Sequence, residues 1–120
     1  MTLKQCYEEI HGDYEGTVAR FRGERLAMKF IIRFLEDRTF DGLCSAVENQ
    51  DYEEAFRMAH TLKGVCANLG LSALLSSSSR LTEALRSGEI SQVLPLFQQV
   101  ERDYTASVTA VTKLKEEQES

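Results

Sequence analysis

His60 lies in the run Ala59-His60-Thr61-Leu62-Lys63-Gly64, which reads as part of a helix with the imidazole turned away from the apolar side. At about 100° per residue, Ala55, Met58, Leu62, Val65, Cys66 and Leu69 gather on one side and His60 projects from the other. Lys63 one turn on, Gly64 at i+4 and Ala67 at i+7 are its neighbours on the helix surface. Phe56 lies about 40° away around the wheel, where it could anchor a partner. An exposed neutral imidazole is a nucleophile toward phosphorus and can hold a phosphoryl group on nitrogen. Lys63 would neutralise phosphoryl oxygens as a point charge. A glycine inside a helix costs roughly 1 kcal/mol against alanine, so Gly64 beside the imidazole implies backbone kept clear for something that approaches closely. Two plainer readings stand beside this one: a surface His next to a surface Lys is common, and a glycine can serve only to admit a neighbouring helix.

The elements that must position this face are all helical. Apolar spacings of three and four run throughout, no alternating strand-length run occurs, and one proline and seven scattered glycines complete an all-α pattern. Segments from about Leu3 to His11 and Tyr14 to Phe21 form an N-terminal cap. A helix from Glu24 to about Asp37 carries Leu26, Phe30, Ile31, Phe34 and Leu35 as its apolar stripe. A further helix runs from about Phe40 to Asn49 with Leu43, Cys44 and Val47 inward. Asp51 with Glu54 has capping-box character and starts the helix of His60, and Gly70 supplies its left-handed stop. Ser72 is the expected cap of the next helix, to about Ser87 and Gly88. Its run Ser76 to Ser79 favours close helix packing over a linker. Ser91 is the expected cap of the last helix, with Pro95 in its first turn and Glu116 to Ser120 frayed. The expected architecture is an antiparallel up-and-down four-helix bundle over 24–115, with 1–22 as a cap and 116–120 as a tail, in one domain of 1–120.

Composition excludes several functions. A net charge of −5 argues against nucleic-acid binding, which needs clustered cations in excess; the cluster Arg20, Arg22, Arg25 reads as a solvated face rather than a phosphate or lipid patch. No apolar run reaches the length of a membrane span, and the first residues lack the apolar region of a signal peptide, so a cytoplasmic location is expected. Three cysteines without C-x-x-C pairing read as reduced thiols, Cys44 and Cys66 as small buried residues. Glu8-x-x-His11 is half of a di-iron motif without the second half, and His11 reads instead as a helix C-terminal residue. Neither G-x-x-x-x-G-K-[ST] nor G-x-G-x-x-G occurs, so no autonomous ATP-dependent kinase activity is expected.

Ala59 to Gly64, continuing to Asn68-Leu69-Gly70 and preceded by the Asp51 start, resembles the active-site helix of histidine phosphotransfer (HPt) domains, and the resemblance covers most of the chain. It implies a phosphorelay intermediate of two-component signal transduction, a phosphoprotein that accepts a phosphoryl group from an aspartyl phosphate on one receiver domain and passes it to another. Carried over by position, His60 is the phosphoacceptor, Lys63 stabilises phosphate and Gly64 gives clearance. Phe56, Arg57, Gly64 and Ala67 are the expected docking positions. No cofactor is expected on the chain itself, and Mg²⁺ belongs to the partner receiver. The expected partners are response-regulator receiver domains and a hybrid sensor histidine kinase, with no nucleic acid or membrane, and the chain is expected to be a monomer. Ser79, Arg80 and Glu83 stand where members of the family often have an acidic and a further polar residue. The alternatives are a helical docking module that is never phosphorylated, and a detached phosphoacceptor domain of the chemotaxis-kinase type.

Overall fold

A computed structural model describes residues 1–120. Seven α-helices follow one another: α1 Leu3–Glu9, α2 Tyr14–Phe21, α3 Glu24–Arg33, α4 Thr39–Glu48, α5 Tyr52–Leu69, α6 Ser72–Arg86 and α7 Ile90–Glu119, with a 3-10 turn Phe34–Glu36 after α3. The all-α bundle is thus as the sequence spacing predicts. Helices α4, α5, α6 and α7 each pack on their neighbour in sequence, as connections of a few residues require. Phe40 of α4 stacks on Tyr104 of α7, with ring centroids 3.9 Å apart, and closes the core between those helices.

Side-chain caps start three helices. Thr2 and Gln5 form a reciprocal capping box at α1, Asp13 accepts from the Gly16 amide at α2, and Asp51 accepts from the Glu54 amide at 3.2 Å at α5. Gly70, at φ 68°, ends α5 in the left-handed conformation that glycine adopts without cost. Two expected serine caps are corrected. Leu71 occupies the cap position of α6 with no side-chain hydrogen bond and Ser72 is the first helical residue, because a fully buried leucine outweighs the roughly 1 kcal/mol of a cap. α7 begins at Ile90 after Glu89, so Ser91 lies within the helix and Pro95 is its sixth residue. The Ser91 carbonyl therefore lacks its i+4 donor, but both residues are exposed and water can serve it.

Other boundaries shift for tertiary reasons. α1 stops at Glu9, and His11 lies beyond its end at φ 52°. α3 gives way to the 3-10 turn after Arg33, and Asp37 accepts from the Thr39 amide at 2.8 Å to redirect the chain into α4. Its buried residues are Ala27 and Ile31, continued by Phe34 of the turn, while Leu26 is 44% exposed. Phe30 stacks on Phe21 of α2 and Phe34 meets the Tyr104 edge, so contacts with other helices choose the inward arc. In α4 the fully inward residues are Phe40, Leu43 and Ala46, with Cys44 and Val47 half-buried on the flanks. The expected fraying is also corrected: α7 stays helical to Glu119, where the Met1 amine meets Glu117 at 3.1 Å and Lys113 meets Glu9 at 3.5 Å.

The serine run of α6 packs closely, as expected. Ser77, Ser78 and Thr82 are buried, and their hydroxyls donate to carbonyls of the preceding turn, Ser78 to Leu74 and Thr82 to Ser78 at 2.7 Å each. Small side chains that satisfy themselves within their own helix let α6 bury this run where it packs against its neighbours α5 and α7.

α1 and α2 secure the far end of α5. Helix termini leave their last carbonyls without intrahelical donors. Here Arg20 donates to the Asn68 carbonyl at 2.8 Å, Tyr7 donates its hydroxyl to the Leu69 carbonyl at 2.6 Å, and the Asp13 amide donates to the Gly70 carbonyl at 2.9 Å.

Burial also governs the thiols. Desolvation pushes Cys66 from its ordinary 9.0 up to about 12 and Cys6 to about 11, while Cys44, half-buried near carboxylates, also rises to about 11. The neutral forms are favoured by folding, so this contribution is fully present below pH 9 and is lost as pH rises through the folded values. The expected result is that all three thiols react slowly with a disulfide reagent at pH 7 and reach their free-thiol rate only in denaturant. Urea midpoints are expected to fall above about pH 9. Native-state reaction at the denatured rate would contradict the assigned burial.

Candidate functional site

The fully buried residues of α5 are Ala55, Ala59, Leu62 and Cys66, with Leu69 close behind. They centre about 140° around the helix from His60. Met58 and Val65, expected among the inward residues, are half-buried on the flank, and Ala59 takes a full place in the core. The imidazole is exposed, as are Arg57, Gly64 and Ala67, while Lys63 and Phe56 are half-buried. The sequence-predicted site residues thus share one accessible face of one helix.

The three helical glycines differ sharply in surroundings. A Cβ built on Gly42 would stand 2.9 Å from the Met58 sulfur, and one on Gly16 would collide with the Asp13 carboxylate. A Cβ on Gly64 would meet nothing within 4 Å. No neighbouring helix requires Gly64, which removes the packing explanation. Gly64→Ala is therefore expected to stabilise the fold by about 0.5–1 kcal/mol, read from urea unfolding. A destabilised variant would mean that Gly64 answers an internal constraint.

Beside the imidazole stands an aromatic and cationic brace. The Phe56 ring lies nearly parallel to His60, 15° between planes and 6.0 Å between centroids. The Arg86 guanidinium of α6 sits 5.4 Å from the Phe56 ring centre, and Glu83 holds that guanidinium at 2.5 Å. Lys63 has no carboxylate within 4 Å, whereas Arg57 pairs with Glu54 on its own helix. Lys63 is thus a cation without an internal partner on the histidine face. No group of three or more His, Cys, Asp or Glu side chains is arranged to hold a metal ion.

Arg86 and its approach to Phe56 were not visible in the spacing. The i,i+3 pair Glu83 and Arg86 can be read from sequence, but its arrival at the histidine face depends on how α6 crosses α5. Ser79, Arg80 and Glu83 line a different cleft of about 480 Å³ that opens toward Gln92 and Leu96 of α7. Glu83 reaches the histidine face only through Arg86.

A family model described as Hpt domain matches residues 34–110. The chain belongs to the Hpt domain family. No curated protein and no solved structure matches it. The Hpt match begins at the 3-10 turn and takes in α4, α5, α6 and most of α7, leaving α1 to α3 outside it. Hpt domains perform histidine phosphotransfer in phosphorelay signalling and interact with receiver domains and kinases. In this Hpt domain, His60 is an exposed histidine inside the matched stretch, and His11 lies outside it. No helix is long and apolar enough to cross a membrane.

Proposed function

We propose that His60 is the phosphoacceptor, taking a phosphoryl group from the aspartyl phosphate of one receiver domain and passing it to the aspartate of another. The observation that carries this reading is Gly64: a mid-helix glycine without an internal neighbour, one turn from an exposed imidazole, leaves room that only an incoming molecule uses. In the forward step the lone pair of an imidazole nitrogen attacks phosphorus, the P–N bond forms as the P–O bond to the aspartyl carboxyl breaks, and the carboxylate departs with the electron pair. The proton on the other ring nitrogen is then free to leave to solvent. Lys63, unpaired within the fold, offsets charge on the phosphoryl oxygens. Phe56, Arg57, Gly64 and Ala67 form the docking face around the imidazole, and the Phe56 stack restrains its rotation.

His60 and Lys63 offer too few donors to hold a metal ion, so Mg²⁺ would belong to the receiver, which would supply its charge there. The residues of this chain contribute the nucleophile, one cation and access. A hybrid sensor histidine kinase bearing such a receiver fits as a donor. The test is transfer of radiolabel from a receiver charged with acetyl phosphate, followed by chemical stability of the bond formed. Label in an acid-labile, alkali-stable linkage is expected, and absence of transfer from every receiver tried would overturn the reading. Gly64→Gln is expected to slow transfer at least tenfold while the helix stays folded; an unchanged rate would count against clearance.

A further inference from the structure

The α2–α3 corner, outside the Hpt match, concentrates positive charge that the fold does not neutralise. Between positions 20 and 33 stand Arg20, Arg22, Arg25, Lys29 and Arg33 against the single carboxylate Glu24, which takes a hydrogen bond from the Tyr14 hydroxyl. The segment is net +4 in a chain of −5, so the remainder carries −9. None of the five cations has a carboxylate within 4 Å. Arg20 donates to the Asn68 carbonyl, and Arg33 lies over the Phe30 ring at 5.6 Å. Arg25, Lys29 and Arg33 recur at i, i+4 and i+8, and with Leu26 they fall within about 100° of the α3 circumference, opposite Ala27 and Ile31. Like charges at i,i+4 destabilise a helix, so this stripe works against the fold that carries it. Leu26, 44% exposed, shares with Arg22, Gly23, Arg25 and Lys29 an open depression of about 540 Å³.

We propose that this face of α3 docks an acidic protein segment carrying an apolar side chain, its carboxylates on the arginine forks and its apolar group on Leu26. Four of the five cations are arginines, whose planar forks take carboxylates in pairs. The stripe from Arg25 to Arg33 spans about 12 Å, the length of a short segment. An anionic membrane or a nucleic-acid duplex would extend past the patch toward the rest of the chain, which is net −9, whereas a short segment stays within one Debye length of the patch, about 8–10 Å. One exposed leucine is also far less than the apolar face of a membrane-lying helix. The cluster read from sequence as a solvated face is therefore assigned a partner.

The probe is a synthetic peptide of glutamates and aspartates around a central Leu-Phe pair, titrated into the full chain and followed by amide chemical shifts. Saturable shifts confined to residues 20–33 are expected, weakening at least tenfold between about 50 and 300 mM salt. Arg25→Glu with Lys29→Glu is expected to weaken binding more than tenfold with the helical circular dichroism unchanged. The milder pair Arg25→Gln with Lys29→Gln gives the same direction if the first misfolds, and Leu26→Ser costs about tenfold. Equal binding by the glutamine pair, shifts centred elsewhere or no saturable binding would overturn the proposal. So would tighter binding to phosphatidylserine vesicles or to a DNA duplex than to the peptide. His60→Gln is expected to bind the peptide as the wild type does, which keeps this outcome separate from the phosphotransfer reading.

Discussion

His60→Gln is expected to reduce phosphoryl acceptance to background while leaving the fold intact. The amide of glutamine matches the imidazole approximately in reach and polarity but has no nucleophilic nitrogen lone pair, so no P–N bond can form. The site is exposed and makes no hydrogen bond within the protein, and glutamine is the better helix former, so stability should change by less than about 0.5 kcal/mol. The check pairs a transfer assay from a charged receiver with urea unfolding of the same preparation. Persisting label in an acid-labile bond would move the phosphoacceptor role elsewhere. His11, the only other histidine, would then need testing, although it lies outside the family match and beyond the end of α1.

Tyr7→Ala should have the largest effect on stability, about 3–5 kcal/mol, as expected for truncating a fully buried aromatic side chain. Tyr7 packs edge-on against Tyr14 at 6.2 Å and donates to the Leu69 carbonyl at the end of α5. Its hydroxyl is so desolvated that its pKa rises from 10.0 to about 12. Against a total of about 5–15 kcal/mol for a small domain, such a loss brings the chain near unfolding. Tyr7→Phe keeps the ring and removes only the donor, so about 0.5–1.5 kcal/mol is expected; the Thr17 hydroxyl lies 3.2 Å from the same carbonyl but has its shorter contact, 2.7 Å, with the Asp13 carbonyl. Urea midpoints at constant m-value measure both. A cost below about 1 kcal/mol for the alanine variant would mean that α1 and α2 are appended to the bundle rather than cooperative with it.

These two sites mark the reach of local sequence signals. Asp51 and Gly70 bound α5 because a side-chain oxygen and a left-handed glycine are local devices. The placement of His60 opposite Ala55, Leu62 and Cys66 follows from helical period alone. Ser72 and Ser91 fail as caps because burial of Leu71 and the packing of α7 outweigh a contribution of about 1 kcal/mol. In α3 several apolar arcs compete, and packing on other helices, which includes Phe30 on Phe21 and Phe34 on Tyr104, buries Ala27, Ile31 and Phe34 and leaves Leu26 in solvent. The same packing leaves Arg25, Lys29 and Arg33, which helical period already aligns, facing solvent.

By itself the sequence determined the helical class, the helix of His60 and the exposure of its imidazole, all of which depend on spacing within one turn or two. Tertiary structure alone decided that Gly64 faces no neighbouring helix, that Arg86 of α6 comes to lie over Phe56, and that Tyr7 and Arg20 reach across to the last carbonyls of α5. Those outcomes depend on how helices cross, and a crossing is set by the summed packing of many side chains rather than by the periodicity of any one segment.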